Sequence, residues 1–335
     1  MSGQRSVRRK RFVLLIASTF FALVAAEVVA RILFGRPLPE RLPILEIQSN
    51  PKRGWMMVPG KPHYTYHYPV NVNSLGLRGP ELGPRSTHTK RVFVLGDSLA
   101  YGQGVGDEQT IPWYMQAALN ERDSGAHHWE VVNGGHRAYD TRQELALLEE
   151  LGPRIGPDVV VVCWFWNDVL ERDIERTYER LKEVEPIAFD FRARYEGWTR
   201  VGWFFKQLGR RSTLLMVAWD ALASKEHFDE NDSRLVDAIP RLGGYLDRFL
   251  ALSSEWGFAL VFAIVPESRA LEHPNGILAL EAAAGAAAME RGIPVVRLKE
   301  SLEKLEKVPL VPFDGHYAAP ANRAMGEQLA DWLLR

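Results

Sequence analysis

From Arg91 onward, short apolar runs alternate with stretches whose apolar residues recur at helical spacing. The runs fall at Val92 to Leu95, Trp129 to Val132, Val159 to Phe165, Leu260 to Val265 and Val295 to Leu298. Between them lie helical patterns at Ile111 to Arg122, Thr141 to Leu151, Pro240 to Glu255 and Ile277 to Arg291. Short, mostly apolar runs suit strands of a covered sheet, and helices between them suit crossovers between parallel neighbours. The pattern therefore predicts a three-layer α/β/α domain over residues 91–335, built on a parallel sheet.

Two segments break the rhythm. Residues 169–240 carry the charged stretch LERDIERTYERLKEVE and then Trp198, Trp203, Phe204 and Phe205. This is too long for a bare loop and reads as a helical, aromatic insertion. Its aromatics suit an internal core, a substrate-facing wall or a membrane-contacting patch. Residues 35–90 form a linker and amino-terminal extension. Pro37, Pro39, Pro43, Pro51 and Pro59 give its first part the character of an extended tether or irregular cap, and the alternation in KPHYTYHYPVNVN predicts a short strand or two.

The amino terminus has its own signature. Arg5, Arg8, Arg9, Lys10 and Arg11 fill a basic tail over residues 1–11, and an uncharged apolar run follows from Phe12 to Ala26. Apolar residues continue to Phe34, interrupted by Glu27 and Arg31, which are four apart and able to pair on a helix. The 23 residues from Phe12 to Phe34 are enough to cross a bilayer. A signal anchor is expected over 12–34, with the basic tail on the cytoplasmic side and the remainder at the extracytoplasmic, periplasmic face of the inner membrane. The rival reading is a signal peptide cleaved after Ala25 and Ala26.

Composition narrows the functional classes. With 41 basic and 42 acidic residues the formal net charge is -1, which argues against a nucleic-acid binder. The single cysteine, Cys163, excludes an internal disulfide and a four-thiolate zinc site, and its place inside VVVVCWF points to a buried structural thiol. His63, His67, His88, His127, His128, His227 and His273 show no metal-ligand spacing, so neither a metal nor another cofactor is expected. His136 reads as a surface or pocket-rim residue.

The sharpest chemical signal is RVFVLGDSLAYGQGV. There an apolar strand ends at Leu95, Gly96 permits a tight turn, and Asp97 and Ser98 follow. A serine at the carboxyl end of a parallel strand sits where open α/β sheets bind ligands. Alone, Gly-Asp-Ser is an ordinary turn sequence. Three later stretches give it weight: VVNGGHRAYDT after the second strand, WFWND after the third, and PFDGHYAAPANRAMGEQLADWL near the end.

Together these stretches resemble the four motif blocks of the SGNH/GDSL hydrolases over roughly Arg91 to Arg335. The lead-in NSLGLRGPEL is similar to membrane-anchored bacterial members. The resemblance implies a flavodoxin-like fold and a metal-free serine esterase acting on O-acyl esters, often O-acetyl groups on carbohydrate. It implies Ser98 as nucleophile, His316 as general base, Asp314 as the residue that orients the imidazole, and an oxyanion hole from the backbone N–H of Ser98, a second-block N–H and the Asn167 amide. The substrate would be a small-molecule or glycan ester. Two alternatives use the same sequence: an O-acyltransferase acting on a cell-surface glycan, and a non-catalytic binding module on the same fold.

Three positions depart from the family pattern. Ala138 stands where the second-block glycine is expected; its N–H can serve if its φ is negative, and Gly135 is the nearby substitute. Phe165 replaces the third-block glycine, making the site entrance bulkier. Asp314 lies two residues before the histidine, and Phe313 occupies the more usual place three before it. Asp168 reads as a turn or cap residue.

Overall fold

Five runs form the central sheet: the inner strands are apolar on both faces, over residues 92–95, Val159–Trp164 and Ala259–Ile264, and the edge strands over His128–Asn133 and Val295–Arg297 carry Glu130 and Arg297. The structure, a computed structural model, describes residues 2–41, 44–61, 63–183, 187–188, 207–222, 235, 237–268, 271 and 276–335. Contacts divide the chain into two units: Met1–Pro39 with Glu196–Glu226 and Pro312–Asp314, and the remainder from Glu40 to Arg335.

In the larger unit the elements run as follows: β1 (Glu46–Asn50), β2 (Gly54–Met57), β3 (His63–Thr65), β4 (Tyr68–Val70), β5 (Thr89–Gly96), α2 (Ser98–Tyr101), α3 (Ile111–Arg122), β6 (His128–Asn133), α4 (Thr141–Ile155) and β7 (Val159–Trp164). They continue with α5 (Ile174–Lys182), β8 (Ile187–Ala188), α7 (Ala238–Trp256), β9 (Ala259–Ile264), α8 (Gly276–Met289), β10 (Val295–Arg297), α9 (Lys299–Leu302) and α10 (Ala319–Leu333). The helices over Ser2–Phe34 (α1) and Thr213–Leu222 (α6) belong to the smaller unit.

The main sheet has the order β10-β9-β7-β5-β6, with every pairing parallel. In chain order that is the 2-1-3-4-5 arrangement of flavodoxin-like sheets. The chain steps outward from β5 to β6 and then crosses to β7 on the other side, so the direction of winding reverses between β5 and β7. Ligands in open α/β sheets bind beyond the carboxyl ends of strands at such a reversal. Gly96 pairs with Cys163 there, placing the turn that holds Ser98 beside the turn that holds Asn167.

Alternate residues of each strand feed two separate cores, as the period of 2 requires. Phe93, Leu95, Val160, Val162, Trp164, Phe262 and Ile264 pack with α4, α7 and α8 on one face. Val92, Val94, Val161, Cys163, Val261 and Ala263 pack with α3 and α10 on the other. Cys163 is buried, as its apolar setting implied, and burial pushes its thiol well above the usual range.

The lead-in differs from a simple tether. Residues 46–70 form four strands, with β1 central in an antiparallel sheet of order β2-β1-β8 and β3 paired with β4. Leu45, Ile47, Trp55 and Met57 are buried and join the core that contains Trp164. Among the described residues, Pro37 and Pro39 precede the strands, Pro51 and Pro59 fall between them and Pro69 lies in β4, where pairing persists.

The smaller unit is built on α1 (Ser2–Phe34), which includes the expected span; Val7–Phe34 is long and apolar enough to cross a membrane. Against it packs α6 (Thr213–Leu222). Trp198, Trp203, Phe204 and Phe205, expected in the aromatic insertion, lie outside the described residues.

Candidate active site

The turn after β5 is shaped by a close backbone approach and one buried carboxylate. A Cβ on Gly96 would sit 2.9 Å from the Cys163 carbonyl oxygen on β7, so only glycine lets the strands meet there. Asp97 then caps α2, accepting the Leu99 N–H at 2.8 Å. It also accepts hydrogen bonds from the Asn167 amide and, at 3.4 Å, from the Ser98 hydroxyl. Ser98, the first residue of α2, has a backbone N–H that meets no acceptor among the described residues.

At its other end α2 is clamped by Arg78, a residue of the NSLGLRGPEL lead-in. The buried Arg78 guanidinium donates to the carbonyls of Tyr101 at 2.9 Å, Gly102 at 2.7 Å and Val105 at 2.8 Å, and pairs with Asp107 at 2.8 Å. It also lies 4.8 Å from the centre of the Tyr101 ring. One planar side chain thereby satisfies the carbonyls left open where so short a helix ends. Nothing in the local pattern of a lone arginine between two turns reveals this role.

His316 arrives from the far end of the chain. Val311 N–H donates to the His316 carbonyl at 2.7 Å, Leu310 bridges Tyr317, and the Tyr317 hydroxyl donates to the Pro266 carbonyl at 2.6 Å. These contacts hold the histidine just before α10. Its Nε2 lies 2.7 Å from Ser98 Oγ, the hydrogen-bonding distance a general base requires. Asp314 groups with Pro312 and Phe313 in the smaller unit, and its turn is bracketed by left-handed residues, Phe313 at φ 61° and Gly315 at φ 93°.

The second block departs from expectation at two places. Gly135 N–H is already taken by Asn133 Oδ1 at 2.9 Å, and a Cβ there would lie 2.1 Å from the Tyr101 nitrogen. Gly135 is thus a packing residue beneath α2 and not a free donor. Ala138 has φ 61°, not the negative value to which its role was tied; a positive φ strains the alanine but leaves its N–H able to donate. Left-handed backbone costs an L-residue roughly 1–2 kcal/mol, which is why a glycine suits this place. The Ala138 N–H finds no acceptor among the described residues.

His136 is buried, not on the surface or a pocket rim. Its Nδ1 lies 3.0 Å from the Gly134 carbonyl, and its ring stacks on Tyr139 with centroids 4.4 Å apart. Burial and the nearby Arg53 charge lower its pKa to about 3, so it stays neutral at ordinary pH. Tyr139 in turn joins Arg53, Glu150 and the Trp55 carbonyl in one network, with the Tyr139 hydroxyl donating to Trp55 at 2.6 Å. This network ties β2 to the second block.

In the third block, Asp168 Oδ2 accepts the Phe165 N–H at 2.7 Å and closes the 3-10 turn over Trp166–Val169 that presents Asn167. Phe165 itself has φ -124°, extended backbone that does not call for glycine. Beneath these turns lies a further acid, Glu144 of α4. Neither Glu144 carboxyl oxygen meets a hydrogen-bond partner among the described residues, nor does Asp168 Oδ1. Burial, then the charges of Asp97 and Asp140, raise Glu144 well above the carboxylate range. Burial, then Glu144 and Asp97, do the same to Asp168. Charged acids so close in a dry interior repel, and protonation removes the repulsion. Among the described residues no group of His, Cys, Asp and Glu could hold a metal ion.

With this geometry in view, the chain can be set beside known proteins. No family model matches the sequence, and no curated protein matches it. Solved structures do. TesA is 16% identical with a TM-score of 0.44, covering 73% of this chain and 98% of its own. A member of the lipolytic G-D-S-L family from Veillonella parvula is 12% identical with a TM-score of 0.41, covering 74% and 99%. The esterase EstA from Pseudoalteromonas is 11% identical with a TM-score of 0.43, covering 73% and 100%. These likenesses all have TM-scores of 0.44 or below, and the chemistry rests on the residues above.

Two outcomes follow from the strained alanine and the unpartnered acid. Ala138→Gly is expected to raise unfolding stability of the full chain in detergent by about 1 kcal/mol, read by urea titration, while Ala138→Val lowers it. Glu144 holds its proton in the folded state after the unfolded chain has released it. Its contribution is therefore lost as pH rises above the ordinary glutamate value of 4.5. Glu144→Gln should flatten the fall in stability between that pH and neutrality. An unchanged slope would show that Glu144 is already ionised.

Proposed function

We propose that this chain is a serine esterase cleaving O-acyl esters, anchored by α1 with residues 35–335 on the extracytoplasmic side. The observation that carries the reading is the 2.7 Å contact between His316 Nε2 and Ser98 Oγ. In an esterase, His316 takes the Ser98 hydroxyl proton as Oγ attacks the acyl carbon, then returns it to the departing alkoxide. Water activated by the same imidazole frees the acid from the acyl-enzyme. Asp314 orients the imidazole and stabilises its cationic form.

The oxyanion is assigned to donors left uncommitted around Ser98. Ser98 N–H and Ala138 N–H are uncommitted among the described residues, and the Asn167 amide holds a second N–H beyond the one given to Asp97. Gly135, with its N–H engaged, has no part in this. Substrates are O-acyl esters, with O-acetyl groups on carbohydrate the class implied by the sequence resemblance. The basic residues in the first turns of α1 support the orientation, since Lys and Arg stay cytoplasmic.

Hydrolysis of a chromogenic acetate ester by the full chain in detergent tests the reading. Ser98→Ala and His316→Ala should each lower kcat by roughly 10⁶. Asp314→Asn should cost ~10⁴, and Asn167→Ala ~10²–10³. A Ser98→Ala variant that keeps its rate would refute the assignment. Acetyl transfer to a sugar hydroxyl without hydrolysis would replace the esterase by a transferase.

A further inference from the structure

In the smaller unit one carboxylate of α1 gathers the amino-terminal end of α6. Glu27, inside the apolar run, accepts the Thr213 and Leu214 N–H groups, each at 3.0 Å, and the Ser212 hydroxyl at 2.7 Å. It also pairs with Arg31 at 2.6 Å. Thr213 Oγ1 donates to the Gly35 carbonyl at 3.0 Å, and Arg31 donates to the Arg211 carbonyl at 3.1 Å. A charge within an apolar span is costly unless paired, and here it caps the free N–H groups of a second helix. Glu27 thus fixes where α6 begins along α1.

The composition of α6, TLLMVAWDAL, suits a medium less polar than water. Leu215 and Trp219, four apart on one helix face, are 52% and 69% exposed, and Ala218 between them is exposed too. On α1, Val28, Val29, Ile32 and Leu33 are likewise exposed, beside the residues that grip α6. At ten residues α6 is about 15 Å long, too short to cross a bilayer. It begins one or two turns before the end of α1, the depth at which the apolar core gives way to headgroups.

We propose that α6 lies in the outer boundary of the bilayer that α1 crosses, with Leu215, Ala218 and Trp219 against the acyl chains. The occupant of this apolar face is lipid, because the face continues the exposed apolar surface of α1. Trp219 sits at the level where amphipathic indoles are favoured, between acyl chains and headgroups. A second membrane contact restricts swivelling of the smaller unit about α1. The inference rests on α1 spanning the membrane, which the experiment tests separately.

Single spin labels at Phe20→Cys, Leu215→Cys and Trp219→Cys, in the full chain reconstituted into phosphatidylethanolamine–phosphatidylglycerol vesicles, separate the two. Unmutated chain controls for labelling of the buried Cys163. Each label is read by its collisions with oxygen, which concentrates in lipid, and with a water-soluble nickel chelate. Oxygen-favoured collisions at all three positions are expected. Oxygen-favoured collisions at 20 with nickel-favoured ones at 215 and 219 would overturn the interfacial helix and leave the anchor. Little access to either reagent at 215 and 219 would also overturn it, by showing protein over that face. Nickel-favoured collisions at 20 would overturn the anchor itself.

Discussion

The buried carboxylate of Asp97 is the interaction on which the candidate site depends. It caps α2 through Leu99, receives the Asn167 amide and stands beside the Ser98 hydroxyl, so one side chain binds the turn after β5 to the turn after β7. Burial pushes its pKa up, while these hydrogen bonds and the nearby His316 pull it down. Such opposition is typical of a charge kept in a dry place for a positioning purpose. Placing Asp97 there constrains its neighbours. Glu144 and Asp168 are buried close by, and burial together with the neighbouring carboxylates, Asp97 among them, raises both above the carboxylate range.

Around that centre the scaffold supplies rigidity from parts of the chain far from the motifs. Arg78 closes one end of α2, Gly135 packs beneath its backbone, and the hairpin around Leu310 and Tyr317 delivers His316 to its exposed end. The reversal of winding between β5 and β7 makes this convergence possible, since it opens a crevice at the carboxyl ends of both strands. In the smaller unit Glu27 has the corresponding part: one carboxylate placed in an apolar setting fixes the start of a second helix. In both units a carboxylate in an apolar setting sets the register of two elements.

The legibility of these features in the sequence follows from their range. The inner strands β5, β7 and β9 were readable because they are apolar on both faces, the edge strands because short apolar runs recur between helical stretches, and α3 begins and ends as its helical period indicates. Ser98 and His316 were readable as motif residues, and the structure brings them together. What escaped detection depends on distant partners. Glu144 in the first turn of α4 looks like an ordinary helix-start acid until Asp97 and Asp168 are packed beside it. Arg78 looks like a turn residue, and Glu27 looks like a break in a span already paired with Arg31. The left-handed φ of Ala138 is set by the turn around it, and the burial of His136 by strands that proline-rich spacing had obscured.

Covalent labelling tests the central claim, a nucleophilic Ser98 activated by His316, without reference to any substrate. The full chain in detergent would be treated with a fluorophosphonate and the adduct mapped by peptide mass spectrometry. A single adduct on Ser98, abolished in His316→Ala although Ser98 remains, is the expected result. A folded chain that takes no label, or that carries it on another residue, would contradict the claim.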